Sequence, residues 1–436
     1  MIASLPNELW WKIIDYATPF RSNLATVEPS LERLRPFFPS GFSGFGDVDF
    51  HCSQVDIWKR SNVVARNFVQ VNRLWRGIVE RFLYSAFYVD EGWRVERFID
   101  TVKLNPNLAK LLRTFVIMPR GPTWGVKGAC LGTVVEQVLN LCHGINAIVM
   151  RAPILSSPPP FFQFLNSQRL RLLSAVHLSN AEFNTFMINF NNYTNLQVLE
   201  LSVSTGNTLS SFPEHITFPS LHTLVLEYLA PRVTEIVGKW ELPSLKALSI
   251  SQWYYDDTTA LLPLIQSSWE RLEFFEACLD LLHDPAFHNL IRAPPVHLTN
   301  VTINIATSEY SSPPVYPAIN SFFDHVVTLG ISGFPMIGPE NHTAWVQFFS
   351  DPTYMPHLRF VLTDVQTSFL GASVLGFLLP FGKMLEDRGV ALKGVLDDNL
   401  SFVPIKLPQR DTLEVSMFLL SNESMLILSP ASRCSP

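Results

Sequence analysis

Along most of the chain, apolar residues return in one small pattern: an apolar anchor followed at +3 and +5 by two more, each copy closing a segment rich in turn formers. The clearest copies are Leu196-Gln197-Val198-Leu199-Glu200-Leu201, Leu221-His222-Thr223-Leu224-Val225-Leu226 and Leu245-Lys246-Ala247-Leu248-Ser249-Ile250. Weaker copies start at Leu112, Ile145, Leu173, Leu272, Leu298, Val326 and Leu358. The intervals between the ten anchors are 33, 28, 23, 25, 24, 27, 26, 28 and 32 residues. Period-two alternation predicts a short strand in each unit, with the +3 and +5 side chains in the core and the +2, +4 and +6 side chains outward. No unit buries its apolar side alone, so stacking of the units has to build the core.

The first 90 residues obey a different rule. Leu9, Ile13 and Ile14 share one face of a helix over Leu5–Ala17, with Pro6 suited to its first turn. Residues from about 18 to 59 lose this period and collect Pro19, Pro29, Pro36, Pro39, Gly41, Gly44 and Gly46, which predicts a long loop. Helical spacing returns from Val63 to Tyr88 through Phe68, Val71, Trp75, Val79 and Phe82, with an interruption near Gly77.

The unit length centres on that of leucine-rich repeats, so the chain beyond residue 90 resembles such an array. The fold expected is α/β: a leucine-rich-repeat-like solenoid over 91–436, preceded by a small all-helical unit over 1–90.

Composition narrows the function classes. Of 436 residues, 47% are hydrophobic and 16% charged, enough to bury a large core. Lys plus Arg number 32 against 38 Asp plus Glu, so no global basic field exists to grip phosphates, and nucleic-acid binding is disfavoured. The five cysteines are scattered with no CxxC pair, which predicts neither a disulfide framework nor a zinc knuckle. Glu8 and Lys12 break the first apolar run, so no secretory signal is expected and the Asn-x-Ser/Thr sequons carry no weight. The longest uncharged stretch, Val365–Gly382, holds Gln366, Thr367, Ser368, Ser373 and Pro380; a buried helix suits it better than a membrane span.

Catalytic signatures are missing. No HExxH, GxSxG, GxGxxG or phosphate loop is present, and His283 and His288 are five apart, the wrong spacing for two ligands on one helix face. Asp256-Asp257 and Asp397-Asp398 fall in turn-like segments, where capping and solvation account for them. The chain is therefore expected to be no enzyme, with no metal and no cofactor.

Leu5-Pro6-x-Glu8-Leu9-x-x-x-Ile13-Ile14 resembles the first helix of the F-box, and Phe68-Val69-x-Val71-x-x-x-Trp75 resembles its later Leu-Val-Cys-x-x-Trp stretch, with Asn72 where the Cys usually stands. Phe82-Leu83-Tyr84 is similar to the family's exit, and Phe98 through Phe115 is similar to the segment next after the F-box in mushroom-type fungal members. Leu139-x-Leu141-Cys142-x-x-Ile145 resembles a helix end and turn of F-box leucine-rich repeats, which makes Cys142 structural. The insert at about 18–59 departs from the compact family form.

The resemblance implies a substrate-recognition subunit of a cullin-based, SCF-type ubiquitin ligase, cytoplasmic or nuclear. Leu5, Pro6, Leu9, Ile13, Ile14, Val71 and Trp75 would then form the apolar strip that docks a Skp-family adaptor and, through it, a cullin. The alternative is a non-catalytic repeat scaffold with no ubiquitin role. For the protein target, outward strand positions are the candidates: His177, Glu200, Val225, Glu227, Phe274 and Glu276, a weakly polar face whose only charges are Glu200, Glu227 and Glu276. Such a face would suit a basic target and repel an acidic or phosphorylated one.

Overall fold

The computed structural model describes residues 63–404, apart from 68–69, 71–72, 90–91, 118–130, 151–167, 179, 204–214, 252–258, 306–312, 314–320, 333–338, 352, 367–371 and 396–401. Leu5, Pro6, Leu9, Ile13, Ile14 and Val71, and the insert at 18–59, lie outside the described residues.

Residues 63–67 are helical, and α1 (Arg73–Ser85) runs through Gly77 straight into β1 (Ala86–Val89). Then come α2 (Gly92–Leu104), α3 (Pro106–Ala109), β2 (Thr114–Ile117), α4 (Leu131–Leu141), β3 (Ala147–Met150), β4 (Leu172–Leu178), α5 (Asn180–Ile188) and β5 (Val198–Val203). The middle holds β6 (Ile216–Thr217), β7 (Thr223–Leu229), α6 (Pro231–Val237), β8 (Trp240–Glu241), β9 (Ala247–Ser251), α7 (Leu262–Ser268), β10 (Phe274–Cys278), α8 (Leu279–His283) and α9 (Pro285–Ile291). The last part is β11 (Asn300–Asn304), β12 (Thr328–Ser332), α10 (Pro339–Ser350), β13 (Phe360–Gln366), α11 (Ala372–Asp387), β14 (Ala391–Val395) and β15 (Phe402–Pro404).

Thirteen of these strands form one sheet in the order β1-β2-β3-β4-β5-β7-β9-β10-β11-β12-β13-β14-β15, while β6 and β8 pair separately. Every pairing in the large sheet is parallel except β14 with β15. At several strand entries one carbonyl accepts two N–H groups from the next unit. Arg113 O receives Asn146 and Ala147, Arg171 O receives Gln197 and Val198, and His222 O receives Lys246 and Ala247, all at 2.8–3.0 Å. These shared acceptors leave no entry carbonyl orphaned where the strands are too short to satisfy it.

The core runs along one register row. Phe87, Phe115, Ile148, Leu173, Leu199, Leu224, Leu248, Phe275, Val301, Leu329, Val361 and Leu392 are consecutive partners. All but the half-buried Phe87 are buried. Burial of each such side chain contributes roughly 1.5–3 kcal/mol to the stability of the sheet. Where units widen, aromatic rings fill the space: Trp269 lies 5.5 Å from Phe275, 5.8 Å from Phe287 and 6.2 Å from Phe322, and its indole N–H donates to Ala293 O at 3.0 Å.

Helix ends obey local chemistry. Pro occupies the first turn of α3, α6, α7 and α9, and the Asp284 carboxylate caps α9 by accepting from Ala286 N. α11 stops at Gly389 (φ +70°), where Gly389 N reaches Glu386 O and Val390 N reaches Leu385 O, both at 2.8 Å. These paired bonds and the left-handed glycine form a Schellman ending.

This architecture corrects the fold expected from sequence. The described chain is α/β on one large, mostly parallel sheet whose crossovers include helices of up to 16 residues, as in α11, and whose last strand turns antiparallel. That sheet takes the place of the leucine-rich-repeat-like solenoid preceded by an all-helical F-box. No all-helical N-terminal unit stands among the described residues, and β1 joins the sheet as early as Ala86. The run Leu83–Val89, apolar but for Ser85, fits a helix or a strand by periodicity, and pairing with β2 makes Ala86–Val89 a strand.

The expectation of a solvated outer face also fails. β5 is buried at all six positions, because a mostly parallel sheet is normally covered on both faces. In Val365–Gly382, Val365 and Gln366 close β13 and the helix begins at Ala372. Among the described residues no helix is long and apolar enough to cross a membrane.

Candidate functional site

The row displaced by one residue from the core row carries three of the six expected target contacts. Ser174, Glu200, Val225, Ser249, Glu276 and Thr302 are consecutive register partners on β4, β5, β7, β9, β10 and β11. The structure therefore brings Glu200, Val225 and Glu276 into one row, with Glu227 two positions further along β7, opposite Ser202 and Ser251. Their exposure is the opposite of what alternation predicted: 0% for Glu200, 3% for Val225 and 5% for both Glu227 and Glu276.

Hydroxyls serve the carboxylates. Ser174 Oγ donates to Glu200 Oε2, and Ser249 Oγ donates to Glu276 Oε2 at 3.1 Å. A buried carboxylate needs such donors, and these tie neighbouring strands together. Phe274 is half-buried between Ala247 and Asn300 in the row at the strand entries. His177 lies in β4 three positions beyond Ser174, past Ala175 where the pairing with β5 shifts register, and is not in the row. The unit anchored at Leu173 is displaced by three: Leu173 itself pairs with Leu199, making Leu170 the anchor.

The second candidate lies where the core row ends. A cleft of about 690 Å³ opens between the helical turn at 63–67, the end of α1, β1 and the first turns of α2. Phe87 and Phe98, stacked with centroids 4.0 Å apart, form its apolar wall. Val63 and Trp93 stand at it 56% and 49% exposed. Arg66, Arg94 and Arg97 line it. The Arg97 guanidinium sits 4.8 Å from the Trp93 ring centroid and that of Arg94 5.3 Å, so the indole face holds both cations. Tyr84 also lines the cleft; burial raises its hydroxyl pKa above the usual range, Glu80 adds to this, and Arg66 opposes it.

No sequence pattern announced this cleft. Trp93 and Arg97 stand four apart on one helix and share a face, which was the available signal. Arg66, however, comes from a separate element nearly 30 residues earlier, and only the fold unites them.

Trp75 lies in α1, one helix before the sheet. His283 ends α8 and His288 lies in α9, on separate short helices. No group of three or more metal-ligating side chains occurs among the described residues. Cys142 is buried at the end of α4, its N–H donating to Val138 O at 2.8 Å, and burial pushes its thiol up to about 12. A thiol so held is a packing group, not a nucleophile.

Compared with known proteins, the chain matches no protein-family model and no curated sequence.

Proposed function

We propose that the protein is a non-catalytic recognition subunit of a cullin-based ubiquitin ligase, with an N-terminal apolar strip for a Skp-family adaptor and the sheet-bearing remainder for a protein target. The resemblance of Leu5-Pro6-x-Glu8-Leu9 and Phe68-Val69-x-Val71-x-x-x-Trp75 to the adaptor-docking helices of the F-box supports this reading. One structural observation carries it furthest. The helix bearing Trp75 passes into β1 with no linker, Ser85 being followed directly by Ala86, and Ser85 O accepts from Arg113 N at 2.8 Å. An adaptor held on α1 would stand in a fixed geometry relative to a target held on the sheet unit, as ubiquitin transfer to a bound target requires.

Affinity capture of the full-length protein with and without proteasome inhibition tests the proposal. Under inhibition, ubiquitin-modified proteins should accumulate on the wild type and not on a Leu9→Asp, Trp75→Asp double variant. Equal recovery from both proteins would favour a scaffold with no ubiquitin role.

A further inference from the structure

We infer that the turn joining α4 to β3, with Arg113, Arg169 and Arg171 gathered about it, binds the carboxylates of an extended acidic segment of a protein partner. The inference names the chemistry of the target within the recognition reading above and rests on that reading. The site lies on the strand-entry edge of the sheet, where backbone bonds run without a break. Asn146 N donates to Arg113 O, Arg171 N to Asn146 O and Gln197 N to Arg171 O, each at 2.8 Å. Arg113 and Arg171 therefore stand two strands apart, about 10 Å at the ordinary spacing. Two guanidiniums close on the turn between them. Arg113 Nη1 donates to Gly144 O at 3.0 Å and Arg169 Nη1 to His143 O at 3.4 Å, so cations from different units sit on carbonyls of neighbouring residues. An arginine cannot shed its proton to relieve such repulsion; an anion can relieve it.

Glycine makes the approach possible, since a Cβ at position 144 would lie 2.9 Å from Arg113 Nη1. The next turn is tied to the same edge by Asn195 Nδ2, which donates to Gln168 O at 2.7 Å, beside Arg169. The guanidiniums are thus positioned before any ligand arrives, which lowers the ordering cost of binding. All three arginines are exposed, and among the described residues no carboxylate pairs with any of them. The turns themselves supply none: positions 105–113, 142–146 and 166–171 contain no Asp or Glu. Lys246, further along the same edge, is the contrast, because Glu273 of the next unit pairs with it at 2.7 Å. Carboxylates accept bidentately from guanidiniums, and residues i and i+2 of an extended segment present theirs roughly 7 Å apart, within reach of arginines so spaced. A nucleic acid fits less well, as those three turns hold no Phe, Tyr or Trp on which a base could stack.

Fluorescence anisotropy of labelled probes on the full-length protein tests the inference. The probes are a capped octapeptide alternating Glu with Ser, its Gln-Ser counterpart, and a single-stranded oligothymidylate of similar length. The acidic peptide should saturate, about tenfold or more tightly than the Gln-Ser peptide, and should weaken with salt. Arg171→Glu, at an exposed position outside the hydrogen bonds of the turn, should weaken it about tenfold with the fold intact. Arg113→Glu with Arg169→Glu should abolish binding, circular dichroism reporting the fold; if that variant does not fold, Arg171→Glu decides. Arg292→Glu, an equal change of charge before β11 and five strands from β4, should leave binding as it is. Equal binding of the Glu and Gln peptides, no saturation by the acidic one, equal loss in Arg292→Glu, no loss in Arg171→Glu, or tighter binding of the oligothymidylate would overturn the inference. Adaptor co-purification with Arg171→Glu, measured alongside, keeps a failure of this site separate from a failure of the ligase reading.

Discussion

Ser249 and Glu276, 27 residues apart in sequence, meet across β9 and β10, where the serine hydroxyl donates to a buried carboxylate at 3.1 Å. The pair repeats, further along the sheet, what Ser174 and Glu200 do across β4 and β5. A polar ladder of this kind fixes register, because slipping β9 by a single residue would bring apolar Leu248 or Ile250 opposite the Glu276 carboxylate. Ser249→Ala should therefore cost about 1–3 kcal/mol by urea denaturation, the range for a buried acceptor deprived of its donor. A double-mutant cycle with Glu276→Gln should show coupling between the two sites.

The core row predicts a contrast in truncation. Leu248 is fully buried between Leu224 and Phe275, whereas Ile188 at the end of α5 is 72% exposed. Leu248→Ala should destabilise by about 2–5 kcal/mol through lost transfer energy and the cavity left behind. Ile188→Ala should stay within about 0.5 kcal/mol of wild type. Thermal and urea unfolding of the two variants would read this difference.

Two glycines separate backbone strain from steric overlap. At Gly389 an added Cβ meets nothing within 4 Å, yet φ is +70°, so Gly389→Ala should cost about 1–2 kcal/mol from the left-handed backbone alone. At Gly238 φ is an ordinary -58°, but the added atom would lie 2.0 Å from Ala260 O. Backbone must move there, so Gly238→Ala should be the more destabilising of the two when both are unfolded in urea.

Cys142 predicts a dependence on alkaline pH. Burial raises its thiol from an ordinary value of 9.0 to about 12, so the folded chain holds a proton that the unfolded chain releases first. A group raised in this way contributes its stability below the unfolded value and loses it as pH rises toward the folded one. Unfolding free energy should therefore fall between pH 9 and about 12, and by less in a Cys142→Ala variant compared with its own value at neutral pH. At about pH 8, below the ordinary thiol value, the folded protein's Cys142 should resist iodoacetamide until denaturant opens the fold.

Much of the sheet was legible in the chain. The anchors Leu112, Ile145, Leu196, Leu221, Leu245, Leu272, Leu298, Val326 and Leu358 each stand three residues before a member of the core row. The misplaced unit has a simple cause: Leu170, Leu172 and Leu173 crowd one strand entry, and alternation alone does not choose among them. Which face met solvent was not legible, because the row holding Glu200 is covered as fully as the leucine row, and period-two patterning assigns sides without saying what lies beyond them. The helix–strand junction at Ser85–Ala86 was hidden because the residues on both sides of Ser85 are apolar and fit either period. The arginine cleft was hidden because its charges come from two helical segments that only tertiary packing sets side by side.

The ligase reading is tested most directly by co-expressing the full-length chain with a Skp-family adaptor and measuring the mass of the eluting species by size-exclusion chromatography with light scattering. The expected result is an equimolar complex that Leu9→Asp with Trp75→Asp dissociates while the sheet remains folded, since a charge buried in an apolar groove costs several kcal/mol. Elution of the wild-type chain alone, or a complex that the double variant leaves intact, would contradict it.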